Sequence, residues 1–474
     1  MAAATVTSLA DIEYRVCELE RTAQLRRLNV HDVQHEMWPL LASCTSIPLS
    51  SKKCKISQEQ SLFRAKLCSR ILELCLNEVE ARRVFLWDWL IQTTTITNNG
   101  SNTNNKFEDN FSPTKFWSDA PHPKKQMFNL VLYSWKNVIE SCSYSSIKDE
   151  NAMDLMEKAA KEASALLLLM EDEYSSDVAF IQEYNSRVDQ GRFTSLMVGA
   201  ALPDVMNYSE VIGAWGQCID GSALRLPDRY DRGRSSNSNN ISSSSSTNNS
   251  SIRVRDGALQ RRLRLEACAM KAMMELLESM EEDLYETFFS ETTHQHDPPQ
   301  RKKPAPDRIC YNIILASMAR QLNPSLYEMR LVLQRMMERV KYELESQGDA
   351  DDDNHHNNAY SMSFFPDIFS YNALIEARAN RAAMFTTDTN TKTSKPQFDM
   401  QELNRPQSRW RKKLTEVPRI KYRFTSSEEE AILAEQILEE INSIATVSIR
   451  PNIWTYNGEF RYFVYLILTE PNID

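Results

Sequence analysis

The sequence predicts an all-α fold, organised as a solenoid of helix-turn-helix pairs with disordered insertions. Three observations carry this. Only ten glycines occur in 474 residues, too few for the many tight hairpin turns of a β-rich chain. Leucine and methionine recur at helical spacing. A short motif returns four times along the chain, the signature of stacked repeats.

Six segments carry apolar residues with helical period: Ile12 to Leu28, Glu59 to Trp89, Ala152 to Tyr174, Leu259 to Phe289, Pro324 to Glu345 and Ser427 to Ile444. The last opens with Ser426 and Ser427 ahead of Glu428 to Glu430, an N-cap followed by acid in the first turn. Polar tracts interrupt the pattern at Thr93 to Ser112, Ser235 to Ser251, Asp349 to Ser363 and Thr386 to Lys395. They hold too little apolar surface to offset chain entropy, and lengthening a flexible loop costs little. The expected organisation is a helical region over 1–92, with the character of degenerate repeats, and a disordered linker over 93–122. Repeats then span 125–457, with insertions at about 219–256, 284–305, 346–365 and 380–425, and an atypical end follows over 458–474.

The recurring motif is an aromatic, then Asn or Ser, any residue, two aliphatics, any residue and a small residue. Its copies are Phe128 to Ser134, Tyr208 to Ala214, Tyr311 to Ser317 and Tyr371 to Ala377. On a helix the aromatic, the aliphatic pair and the small residue share one face. Trp135 and Trp215 follow the small residue in two copies. Each copy is followed by a second helix with its own stripe: Ala163/Leu167/Met170, Met273/Leu277/Met280, Met329/Leu333/Met336 and Ala434/Leu438/Ile441. Two alternating helices, neither able to bury its face alone, describe a helical solenoid.

A proline-led junction precedes three copies and recurs once beyond them: Pro203-Asp204 before Tyr208-Ser209, Pro306-Asp307 before Tyr311-Asn312, Pro366-Asp367 before Tyr371-Asn372 and Pro451-Asn452 before Tyr456-Asn457. In this the chain resembles the pentatricopeptide-repeat family, whose unit is a helix-turn-helix pair of about 35 residues. The resemblance implies a right-handed α-α superhelix. It covers roughly Lys125 to Asn457; the first copy departs from it, with Lys124 where Asp or Asn is expected. The third unit keeps compact spacing, 22 residues from Tyr311 to Leu333, whereas 69 separate Tyr208 from Leu277. After Asn457 the run Gly458-Glu459-Phe460-Arg461 breaks the aliphatic pair, as in a truncated repeat.

By this resemblance the chain binds single-stranded RNA, about one base per repeat, in an organelle (mitochondrion or plastid). The reading residues are then the polar residue after each aromatic and the last residue of the same repeat. Four pairs result: Asn129 with Asp204, Ser209 with Asp307, Asn312 with Asp367, and Asn372 with Asn452. The resemblance implies U, G, U and a pyrimidine for them in turn. The same Asp residues also suit helix capping, and the tyrosines suit a core. Phosphate contact needs cations, and Glu402 to Arg423 is rich in them. Arg409, Arg411, Lys412 and Lys413 flank Trp410 there. Smaller basic groups lie at Arg253 to Arg264 and Arg301 to Lys303.

The net charge of −10 argues against a uniformly basic nucleic-acid binder, so contact must be local. A protein-binding scaffold is the competing expectation. Nine cysteines occur singly, as buried residues of a reducing compartment do. His31 and His35 do not follow the order of a zinc protease, and no phosphate-cradling glycine loop or nucleophile elbow occurs. The expectation is no enzyme, no metal, no cofactor and no membrane span. The N-terminus lacks the arginine-rich, acid-poor character of a transit peptide.

Overall fold

The computed structural model describes residues 9–46, 58–98, 111–144, 151–188, 195–223, 248–290, 303–346 and 366–388. Every regular element among these residues is helical. They divide into two compact units, Met1–Ser317 and Met318–Asp474.

In the first unit, α1 (Leu9–Leu25) buries Ile12, Val16 and Leu19, spaced four and three apart. A capping box follows. Asn29 accepts from the backbone of His31 and Asp32, and the Asp32 carboxylate accepts from the Asn29 N–H. This starts α2 (Val30–Asp32). Burial would raise the Asp32 carboxyl, but the Arg26 guanidinium and the Asn29 N–H outweigh it and hold the carboxyl below its ordinary value. A π-helical turn, Val33–Met37, then leads into α3 (Trp38–Ser46). Pro39 explains the wider turn: it has no N–H to give to the preceding turn, and its ring crowds the carbonyl four residues back.

The helix α4 (Gln58–Asn98) runs past the expected stop at Trp89. Thr93 bonds its hydroxyl to the Trp89 and Leu90 carbonyls, so a threonine run begins inside the helix. A short α5 (Pro113–Ser118) is capped by Ser112, with Pro113 at its first position. The expected linker over 93–122 is therefore helical at both ends. Its composition hides Phe111, Phe116 and Trp117, which pack with Phe85 and Trp89 against the α4 face.

Five further helices complete this unit: α6 (Lys125–Tyr144), α7 (Ala152–Arg187), α8 (Val205–Ala223), α9 (Asn248–Ser290) and α10, which runs Arg308–Ala319 across the boundary of the units. First helices touch first helices, α3 to α6 and α6 to α8. Second helices touch second helices, α4 to α7 and α7 to α9. All six members of the stripes on α7 and α9 are buried at 1% exposure or less. The helix α7 outruns its expected end at Tyr174 because Asp177, Ile181 and Tyr184 continue the buried face. A periodicity reading takes an aspartate for a surface residue and stops there.

Two glycines on α8 show how closely the first helices approach. A Cβ on Gly213 would sit 3.8 Å from Lys136 Nζ and 4.0 Å from Ile313 Cδ1, an ordinary contact. A Cβ on Gly216 would sit 2.6 Å from Ser317 Oγ, inside its contact radius. Gly213→Ala is therefore expected to stabilise the first unit by about 0.5–1 kcal/mol through helix propensity. Gly216→Ala is expected to destabilise it, because the Ser317 hydroxyl must leave the Ile313 carbonyl it bonds at 2.8 Å. Urea midpoints of the two variants should move in opposite directions.

In the second unit, α11 (Leu326–Ser346) packs on α12 (Ile368–Asp388). Met329, Leu333 and Met336 face the core, as do Tyr371, Leu374, Ile375 and Ala377. The Asn380 amide donates to the Ala319 carbonyl at 2.8 Å, and Arg320 pairs with Glu376. Helices also reach into the expected insertions: α8 runs to Ala223, α9 spans Asn248–Ser290 and α12 ends at Asp388. Adding a residue to a formed helix is far easier than starting one, so apolar periodicity underestimates length. The expected helix Ser427 to Ile444, the fourth stripe and most of the polar tracts lie outside the described residues, as does the whole of 458–474.

Candidate functional site

The four aromatics of the motif are core. Phe128, Tyr208 and Tyr311 are each 1% exposed and Tyr371 is 6% exposed. The tyrosine hydroxyls find acids on the preceding second helix. Tyr208 donates to Glu171, and Tyr311 donates to Glu281 at 2.7 Å. Each acid follows the methionine of its stripe, Met170 or Met280. The tryptophans repeat in the same way: Trp135 Nε1 donates to Ser69 on α4, and Trp215 Nε1 to Ser164 on α7. Glu171 lies seven residues after Ser164, and the residue seven after Ser69 is Leu76. The aromatic beside Leu76 in sequence register is Phe128, which has no hydroxyl to satisfy. An apolar pair thus replaces a polar one, copy for copy.

With the aromatics inside, Asp204, Asp307 and Asp367 lie half-buried at the starts of the first helices. Asp204, Asp307 and Asp367 each cap a helix. Asp204 and Asn207 exchange backbone-to-side-chain bonds at 2.9 and 3.1 Å at the start of α8. Asp307 accepts from the Cys310 N–H at 2.9 Å. Asp367 accepts from the Phe369 and Ser370 N–H groups at 3.0 and 3.2 Å. One expected pair is joined: the buried Asn207 donates its amide to Asn129 Oδ1, which links Asn129 to Asp204. The bond order is forced. Asn207 Oδ1 accepts from the Asp204 N–H, so its nitrogen must face Asn129 and its partner must be an oxygen. Asn129 keeps its own NH₂ for other work.

Ser209 and Asp307 make no such link; the Ser209 hydroxyl bonds the Met206 carbonyl of its own helix. Asn312 lies in the first unit and Asp367 in the second. Asn372 is half-buried, with its Oδ1 buried and without a hydrogen-bond partner. Asn452 lies outside the described residues, as do Arg409, Arg411, Lys412 and Lys413.

Sequence reasoning missed three residues. Met206, Ile309 and Phe369 are 60%, 60% and 62% exposed at the starts of α8, α10 and α12. Each lies two residues before the buried tyrosine and one turn before the polar residue that follows it. The signal was an apolar residue on the wrong side of an amphipathic helix, at the same register three times.

Cations on this surface are largely spoken for. Lys125 pairs with Asp204 at 2.7 Å and Lys136 with Glu210 at 2.6 Å, both across α6 and α8. On α9, Arg262 pairs with Glu266 and Arg264 with Glu157. Lys303 lies by Ser279 and Glu171.

The chain entering α8 is held from beneath. Asp177, with no exposed surface, accepts from the Gly199 and Ala200 N–H groups at 2.9 Å each. Asn185 makes two bonds with the Leu196 backbone. The His122 ring lies against Gly199, where a Cβ would come within 2.6 Å of it. Burial pushes the His122 imidazole below its ordinary value of 6.5, opposed by the Asp177 carboxylate. The folded chain therefore binds fewer protons here than the unfolded chain. Stability from this group is full above pH 6.5 and falls as the pH drops toward the lower folded value. Denaturation midpoints taken between about pH 7 and about pH 5.5 should decline, with a shallower slope in His122→Phe.

No protein-family model, no curated protein and no solved structure matches this chain. Among the described residues no group of three or more His, Cys, Asp or Glu is arranged to hold a metal ion, and no helix is long and apolar enough to cross a membrane.

Proposed function

We propose that the chain is a divergent pentatricopeptide-repeat protein of a mitochondrion or plastid, and that it binds single-stranded RNA along its first helices without catalysing a reaction. The helix pairs would then continue as one solenoid. The observation that carries this is the repeated start of the first helix. Met206/Ser209, Ile309/Asn312 and Phe369/Asn372 each set an exposed apolar side chain one turn before a half-buried polar one. That is the pairing a splayed base needs: a surface to stack on and a group to read its edge. The recurrent Trp–Ser and Tyr–Glu bonds support the repeat itself.

In this reading Asn129 offers its N–H donors, its oxygen already accepting from Asn207. A base presenting carbonyl oxygens, such as uracil, suits it. Arg409, Arg411, Lys412 and Lys413 supply phosphate contact.

Fluorescence anisotropy with single-stranded RNA at low salt tests the proposal. Binding should weaken linearly on a log–log salt plot, and the triple variant M206A/I309A/F369A should lose about 1–3 kcal/mol per stacked base. Absence of binding at low salt ends the reading. One observation favours a protein-binding scaffold instead: Lys125 and Lys136 are already paired with acids. Exchanging Asn312 and Asp367 separates the two, since only an RNA reader changes base preference while keeping its fold.

A further inference from the structure

Several cations of the first unit are held by acids: Arg26, Arg83, Lys125, Lys136 and Arg187 all form ion pairs. Arg27 differs. It is exposed, and among the described residues no acid pairs with its guanidinium. Two rings hold it instead. Its central carbon lies 4.9 Å from the centroid of Phe85 and 5.2 Å from that of Phe116. The rings themselves are 5.0 Å apart and tilted by 46°. Phe85 is 38% exposed, so the stack opens to solvent.

The backbone around this stack is fixed. Arg82 of α4 donates from Nη1 to the Phe116 carbonyl at 2.6 Å and from Nη2 to the Leu28 carbonyl, next to Arg27. Its Nε donates to Glu78 at 3.0 Å, so its own charge is met within the unit. The Val30 N–H donates to the Asp119 carbonyl at 3.0 Å. The turn carrying Arg27 and the helix carrying Phe116 are thus tied at two points. A cation confined in this way has less rotamer freedom left to lose when it binds. Stacking uses the face of the guanidinium and leaves the N–H groups on its edge free. That planar fork matches two oxygens of a phosphate. Arg187 provides the contrast: it lies over Trp87 at 4.8 Å, but Glu183 already occupies its fork.

We propose that Arg27 binds a backbone phosphate of single-stranded RNA where the chain enters the layer of first helices. This rests on the RNA reading given above and adds a contact outside 402–423. The turn after α1 leads into α2 and, through the π-helical turn, into α3, which packs on α6. Arg27 therefore precedes a first helix as Asp204 precedes α8. The surrounding charges favour an anion. Asp32 is occupied by Arg26 and by the Asn29 N–H, and the exposed Lys115 stands next to Phe116 in sequence.

Fluorescence anisotropy of the full chain with a labelled single-stranded RNA, over a series of salt concentrations, tests the proposal. R27Q is expected to weaken binding about tenfold at low salt, as loss of a hydrogen-bonded charge does. It should also make the log–log salt plot shallower by about 0.7, the share of one phosphate on a single strand. R27K keeps the charge without the fork, so it should keep the slope and lose part of the affinity. A purely structural stack would move the urea midpoint of R27Q and leave its salt slope alone. An unchanged slope in R27Q overturns the proposal, even where affinity falls, and leaves the RNA reading in place. Absence of binding by the wild-type chain overturns both.

Discussion

Asp177→Ala is expected to lower the stability of the first unit by about 3–5 kcal/mol. Two losses coincide at this position. The Gly199 and Ala200 N–H groups, each bonded to the carboxylate at 2.9 Å, lose their acceptor in a part-buried site. Arg83, 3.5 Å from the same carboxylate and with its Nε already buried and unpartnered, loses one of its balancing charges. Asp177→Asn should cost less, since an amide oxygen still accepts from the backbone. Urea unfolding measures the difference. Hydrogen exchange adds the location: amides of residues 195–200 should exchange faster in Asp177→Ala while those of α1 do not. Uniform loss of protection would show that Asp177 does not specifically anchor the entry to α8.

Trp215→Ala is expected to cost about 3–5 kcal/mol, as for other buried tryptophans. Trp215 is 2% exposed, and its indole N–H bonds Ser164 at 2.9 Å. Truncation leaves a cavity between α8 and α7 and removes the indole donor from the Ser164 hydroxyl, which keeps its bond to the Ala160 carbonyl. Trp215→Phe should recover most of the packing and forfeit only the bond, a cost of about 1 kcal/mol. Because Trp135 makes the same contact with Ser69 at 3.1 Å, Trp135→Ala should behave alike. Intrinsic fluorescence and denaturant midpoints check both. Unequal costs for the two tryptophans would count against their equivalence and so against a true repeat.

The sequence alone carried the all-helical class and the buried stripes of several helices. A side chain that returns every three or four residues must lie on one side of a helix, whatever else the chain does. Hence Phe128, Tyr208, Tyr311 and Tyr371 and the stripes on α7, α9 and α11 are buried where periodicity put them. The helix ends were less legible. Asp177 closes a buried network although it looks like a surface residue, and Thr93 continues α4 by bonding its own helix.

Tertiary structure decided what the polar residues beside the tyrosines do. Capping and base reading call for the same residue types, so Asp204, Asp307 and Asp367 do not reveal from sequence which bonds they make. Only the approach of α8 to α6 brings Asn207 to Asn129, fixes the direction of that amide and pairs Lys125 and Lys136 with acids. Periodicity acts along one helix, whereas contacts between helices depend on crossing geometry that no single stretch of sequence contains.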